Sequence, residues 1–239
     1  MSTYIDVGNT NIKIMDEKMS IHVFPTKGFN PSIISSVLLG SDKVVAIGVV
    51  PDILVGIQEL CKDLDKSFNC INTSSKLSFK HNVAGVGIDR LVAIEGGLTV
   101  FDPPFVIIDA GTAITADFVV KENSDYVFKG GVIIPGFELC FKTLNDYTSM
   151  LPRLKPITPS GSYGKDTMNA MNCGVCLTLS GGLKDIIEKT QEELSLTKLK
   201  IIITGGAGKF LGDLLEKKYE LVDNLIFRGM MNIYNGRGV

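Results

Sequence analysis

The chain has 239 residues, 45% hydrophobic and 21% charged, enough for two domains of about 100–120 residues that fold without disulfide staples. A formal charge of −2, with lysines scattered among acids, excludes a surface built to neutralise many phosphates and argues against a nucleic-acid partner. No apolar run approaches the ~20 residues of a membrane span, the start lacks the basic flank and apolar stretch of a signal peptide, and an odd set of five cysteines suits reduced thiols, so a cytoplasmic protein without a membrane partner is expected.

Strands are expected at residues 3–7, 11–15 and 20–24, followed by a helix over 31–39 and an apolar strand over 43–49. Pro51 suits the first turn of a helix running to residue 64, residues 68–71 form another strand, and the polar stretch 72–82 is loop. Gly85-Val86-Gly87-Ile88-Asp89-Arg90 then leads into residues 91–98, whose small and apolar side chains suit a buried helix. Consecutive prolines at 103 and 104 break helix and sheet alike, which sets a first domain at 1–104 and a second at 105–239. The second repeats the pattern of the first, with strands at 105–109, 113–120 and 126–134 and a helix after Pro135-Gly136. Prolines at 152, 156 and 159 keep residues 150–162 extended or looped, and a long helical pattern covers 166–193. A strand over 199–204 ends in Gly205-Gly206-Ala207-Gly208, and a strand at 220–222 with a helix to residue 234 closes the chain.

Two stretches read alike: Tyr4-Ile5-Asp6-Val7-Gly8-Asn9-Thr10 and Ile107-Ile108-Asp109-Ala110-Gly111-Thr112-Ala113, their aspartates 103 residues apart. In each an apolar strand delivers an aspartate, a glycine allows a sharp turn, and hydroxyl or amide side chains begin a second strand. The glycine lets backbone N–H groups approach an anion, and the aspartate can hold a metal ion or water. Hairpin turns need glycine regardless, but a turn needs no carboxylate at the end of a buried strand. The duplication therefore points to two related half-domains facing one nucleotide. Neither G-x-x-x-x-G-K-[ST] nor a G-x-G-x-x-G opening a helix after a strand is present, so any phosphates fall to these two turns, helped by the glycine turn at 205–208.

Asp89-Arg90 is the second constellation. An aspartate at a helix start is ordinarily a cap, but the adjacent arginine can grip a carboxylate through two hydrogen bonds, setting a substrate hydroxyl beside Asp89 as proton acceptor. Cys173-Gly174-Val175-Cys176 has redox spacing, yet it lies inside the long helical pattern, which favours a structural role. His22 and His81 each stand alone without a partner at ligand spacing. Lys13 reaches either a phosphate or water, and the spacing does not decide between them.

The ordered set formed by residues 6–13, Gly87-Ile88-Asp89-Arg90, Asp109-Ala110-Gly111-Thr112-Ala113 and Gly130-Gly131-Val132-Ile133-Ile134-Pro135-Gly136 resembles the type III pantothenate kinases. Leu151-Pro152-Arg153, Gly164-Lys165-Asp166-Thr167 and Ile203-Thr204-Gly205-Gly206 extend the resemblance over nearly the whole chain. It implies an α/β, actin-like fold of two ribonuclease-H-like domains, each a mixed five-stranded sheet flanked by helices, in the superfamily of acetate and sugar kinases, Hsp70 and actin. The implied activity is phosphorylation of pantothenate by ATP, the first step towards coenzyme A. By the same resemblance Asp89 is the base, and Gly87, Ile88, Asp89, Arg90 and Thr167 contact pantothenate. Asp6, Val7, Gly8, Asn9, Thr10, Asn11, Ile12, Lys13 and Thr112 contact ATP. Mg²⁺ is expected near Asp6 and a monovalent cation, K⁺ or NH4⁺, near Asp109, in a homodimer. Phe79 stands where the family often has a tyrosine, and the chain is a little short for the family. Two rival readings are a regulatory paralogue that no longer phosphorylates pantothenate and a filament-forming actin-like ATPase. Intact Asp6, Asp89, Arg90 and Asp109 weigh against the first, and the second has no use for Asp89-Arg90.

Overall fold

A computed structural model describes residues 1–236. The chain forms two compact units: one takes residues 1–100 and the C-terminal segment from Leu225, the other residues 101–224.

In the first unit, β1 (Ser2–Val7), β2 (Asn11–Met15) and β3 (Ile21–Pro25) form an antiparallel meander. β4 (Lys43–Gly48) and β5 (Ser67–Cys70) extend it on the parallel side, giving the order β3-β2-β1-β4-β5. Val44 to Ile47 are all buried, as a strand covered on both faces requires. A short 3-10 turn (Pro31–Ile34) runs into α1 (Ser35–Leu38) between β3 and β4, and α2 (Pro51–Asp63) joins β4 to β5 with proline at its start, as expected. Ile34, Leu38, Ile57 and Cys61 of these helices pack with Ile5, Val7, Ile12 and Ile14 of the sheet.

The second unit repeats this plan. β6 (Phe105–Ala110), β7 (Ala113–Glu122) and β8 (Asp125–Pro135) are antiparallel neighbours, while β9 (Lys200–Thr204) and the two-residue β10 (Glu220–Leu221) lie parallel to β6. The order β8-β7-β6-β9-β10 is that of the first sheet, strand for strand. α4 (Phe137–Asp146) and the long α5 (Thr167–Glu193) fill the crossover from β8 to β9, and α6 (Gly208–Leu215) the one from β9 to β10. Phe137, Phe141, Cys176, Leu183 and Leu211 of these helices pack on Val106, Ile108, Ile114 and Ile203. α6 is an element the sequence reading does not contain, because eight residues give too short a period to stand out.

The expected division into 1–104 and 105–239 differs from the observed one at its far end. The C-terminal helix α7 (Leu225–Tyr234) belongs to the first unit, where it packs on α3 (Ile88–Leu98). α3 explains this: Ile88 and every residue from Leu91 to Gly97 are buried, and a helix buried all round needs cover on every side. Glycines let the two backbones close, since a Cβ on Gly229 would collide with the Val92 carbonyl and stand 2.9 Å from the Gly96 nitrogen.

Candidate active site

The first aspartate turn is a three-residue loop, Gly8 to Thr10, closed by a bond of 3.0 Å from Gly8 N to Asn11 O. Asp6 and Lys13 are directly opposed in the β1–β2 register, so their side chains share one face of the sheet, and both are half-buried. Asn9, Thr10 and Asn11 are exposed. Thr26 buttresses the loop from below: its Oγ1 donates to Gly8 O at 2.7 Å and its N–H to Thr10 O at 2.9 Å. Sequence reasoning missed Thr26, because a threonine just past a strand carries no signal of its own.

The second turn is one residue shorter, with Gly111 N donating to Ala113 O at 3.0 Å. Asp109 sits in register between Thr115 of β7 and Thr204 of β9, a row with a hydroxyl residue on each side of the carboxylate. Two helix starts are tied to this turn: Gly136, which precedes α4, donates to Thr112 O at 2.9 Å, and Ala207, which precedes α6, donates to Ala110 O at 2.9 Å. Helix starts carry partial positive charge and attract anions. Gly205 lies at φ +92°, and a Cβ there would collide with the Asp109 carboxylate. Within this unit the glycine turn at 205–208 therefore meets Asp109 and Ala110 at the end of β6, and Thr112 is exposed nearby in the chain.

Gly87, Ile88, Asp89 and Arg90 form the start of α3 in the first unit. Gly87 is the N-cap, extended at ψ 144°, and no side chain caps the helix, so Asp89 does not serve the ordinary capping role. Its carboxylate folds back against Gly87, where any Cβ would collide with Oδ1. Asp89 and Arg90 are both half-buried.

Thr167 lies in the second unit as the first residue of α5 and is exposed. The cap beneath it is Asp166, which accepts from Asn169 N at 2.9 Å and Asn169 Nδ2 at 2.6 Å, and these bonds hold its carboxyl below the usual range. One turn on, Asn172 accepts from Ile157 N at 3.1 Å and donates to Ile157 O at 2.7 Å, strapping the proline-rich segment to the helix. Cys173 donates to Gly161 O at 3.3 Å, and the buried Cys176 thiol is pushed up to about 11 by burial. Both thiols are buried in the packing of α5.

Among the described residues no cluster of three histidine, cysteine or acidic side chains forms a ready metal cage. The Type III pantothenate kinase family model matches residues 3–189. A type III pantothenate kinase from Fusobacterium nucleatum is 33% identical over 199 residues, 81% of this chain and 76% of the relative. The chain belongs to the type III pantothenate kinase family. The match spans both aspartate turns, Gly87-Ile88-Asp89-Arg90 and Thr167, while the glycine turn at 205–208 and α7 lie beyond it. Among solved structures, a Baf family transcriptional activator from Campylobacter jejuni superposes with a TM-score of 0.63 at 25% identity, covering 98% of each chain. An archaeal actin homologue superposes with a TM-score of 0.54 at 10% identity over 100% of this chain and 99% of its own, which shows the fold alone to be actin-like.

Proposed function

We propose that this protein transfers the γ-phosphoryl group of ATP to the primary hydroxyl of pantothenate, forming 4'-phosphopantothenate, the first step of coenzyme A synthesis. The observation that carries this is membership of the type III pantothenate kinase family over residues 3–189, with an Asp-Arg pair at an uncapped helix start inside that stretch. An ATP-dependent kinase of this family uses ATP with a divalent metal.

The turn formed by residues 6–13, together with Thr112, takes the ATP phosphates, and backbone N–H groups at glycine turns and helix starts supply the donors. Mg²⁺ beside Asp6 needs no ready protein cage, and there is none among the described residues, because Mg²⁺ is usually held by one or two carboxylates, water and substrate phosphates. Lys13, across the strand pair from Asp6, adds a positive charge on the same face. K⁺ or NH4⁺ at Asp109 is supported by the hydroxyl residues Thr115 and Thr204 in its row. These cations, when bound, offset the repulsion between aspartates and triphosphate.

Arg90 grips the pantothenate carboxylate and Asp89 accepts the hydroxyl proton, with Gly87, Ile88 and Thr167 completing the contacts. Phosphoryl transfer passes through a loose transition state, so Asp89 orients the hydroxyl first and takes its proton as the bond to phosphorus forms. The homodimer of the family is supported by exposed apolar side chains in the second unit, Ile133, Met150, Ile157, Tyr163 and Met168, of which Met150 is 88% exposed. Met150→Glu should shift sedimentation towards monomer, and an unchanged profile removes this surface from the interface. ADP release measured with and without pantothenate, in K⁺ and then in Na⁺ buffer, tests the whole reading: release should require pantothenate and favour K⁺. Release independent of pantothenate would refute the kinase assignment, and equal rates in the two buffers would refute the monovalent site.

A further inference from the structure

Glu95 is fully buried, on α3, six residues after Asp89. Its Oε1 accepts from Ser78 N at 2.5 Å, and its Oε2 accepts from Ser78 Oγ at 2.5 Å and Asn232 Nδ2 at 2.7 Å. One carboxylate therefore ties three pieces of the first unit: α3, the segment that leads into Gly87-Ile88-Asp89-Arg90, and the C-terminal helix α7. A buried carboxylate is costly to desolvate, and a leucine of similar volume would cover α7 without that cost. What leucine cannot do is fix the position of Ser78.

Ser78 precedes Phe79, which is buried and 6.1 Å ring to ring from His81, and the chain from there runs directly to the helix start. The other residue held by Glu95, Asn232, sits on α7, whose Gly229 lies against the backbone of Val92, just past Asp89 and Arg90. We infer that Glu95 is a positioning residue for pantothenate binding, acting through Ser78 and Asn232 to hold residues 78–90, and with them Asp89 and Arg90, in the geometry that receives the substrate. The inference rests on the reading of Asp89-Arg90 as the pantothenate site.

The test compares Glu95→Leu, Glu95→Gln, Ser78→Ala and Asp89→Asn in steady-state kinetics, with thermal melting and hydrogen exchange on each. Glu95→Leu should raise the pantothenate KM by about fivefold or more, leave the ATP KM within about twofold, and speed exchange over residues 78–90. Glu95→Gln, which keeps an acceptor for Ser78 N, should recover most of the loss. Ser78→Ala removes a single hydroxyl and should move the same KM in the same direction, which covers the case of a Glu95→Leu protein that does not fold. A role in stability alone would lower the melting temperature while the pantothenate KM stayed put in Ser78→Ala and in whatever Glu95→Leu protein folds, and that result overturns the inference. Asp89→Asn separates the two levels. If it keeps normal turnover the site reading fails, whereas if it is inactive and the Glu95 and Ser78 variants are kinetically normal, only the positioning role fails.

Discussion

Gly205 and Gly206 are neighbours in one turn, yet alanine should be ruinous at the first and harmless at the second. At Gly205 the backbone lies at φ +92°, where an L side chain costs about 1–2 kcal/mol. The new Cβ would also collide with the Asp109 carboxylate and stand 2.6 Å from Ala110 O, against 3.4 Å for ordinary contact, so β6 must yield by 0.8 Å. β6 is the central strand, held between β7 and β9, and crowding in such a place costs about 1–3 kcal/mol. Together the two come to about 2–5 kcal/mol, or about 4–20 °C in melting temperature for a chain of this length. Gly206 has nothing within 4 Å of its would-be Cβ and no positive φ, so Gly206→Ala should stay within about 0.5 kcal/mol of the parent. Thermal unfolding followed by circular dichroism reads both. If Gly205→Ala melts together with Gly206→Ala, the convergence of that turn on Asp109 is wrong.

Arg90→Lys should mainly raise the pantothenate KM with turnover little changed, because an ammonium cannot reproduce a two-bond grip on a carboxylate; an unmoved KM would discard that contact. Asp16, at the β2–β3 hairpin, is held below the usual carboxylate range chiefly by its bond to His22, then by the N–H groups of Ser20 and Lys18. A depressed carboxyl contributes stability at pH above the ordinary range and loses it as pH falls through its own titration, so the hairpin should loosen only under strong acid. In His22→Ala the Asp16 carboxyl should titrate higher by NMR, and an unmoved titration would remove His22 as the cause. Cys61 and Cys176 are buried with thiols pushed up to about 11, while Cys70 is exposed, so iodoacetamide near neutral pH should label Cys70 well before either. Early labelling of Cys176, read by peptide mass spectrometry, would contradict the strapped packing of α5.

The duplicated architecture was legible because each half announces itself where the chain must turn. An aspartate two residues ahead of a glycine at the end of an apolar strand is a short-range pattern, and Asp6-Val7-Gly8 and Asp109-Ala110-Gly111 carry it at matching places in two sheets of identical order. The helix expected over 91–98 was legible too, although it opens three residues earlier, at Ile88. Long-range choices were not. The burial of residues 91–97 says that something covers α3, but nothing in that stretch says that the cover comes from residue 225 onward, across an entire second unit. Glu95 did carry a visible signal, an acid inside Ala93-Ile94-Glu95-Gly96, and taking the stretch as simply apolar passed over it. Thr26 offered none, since its partners are backbone carbonyls of a distant turn.

The most direct measurement is mass-spectrometric detection of 4'-phosphopantothenate after incubation of the purified protein with ATP, Mg²⁺, K⁺ and pantothenate, beside Asp89→Asn at equal ATP occupancy. The parent protein should form product in step with ADP, and Asp89→Asn should form it about 10²-fold more slowly or worse. ATP consumption without that product, or a variant that keeps pace with the parent, would contradict a pantothenate kinase driven by Asp89.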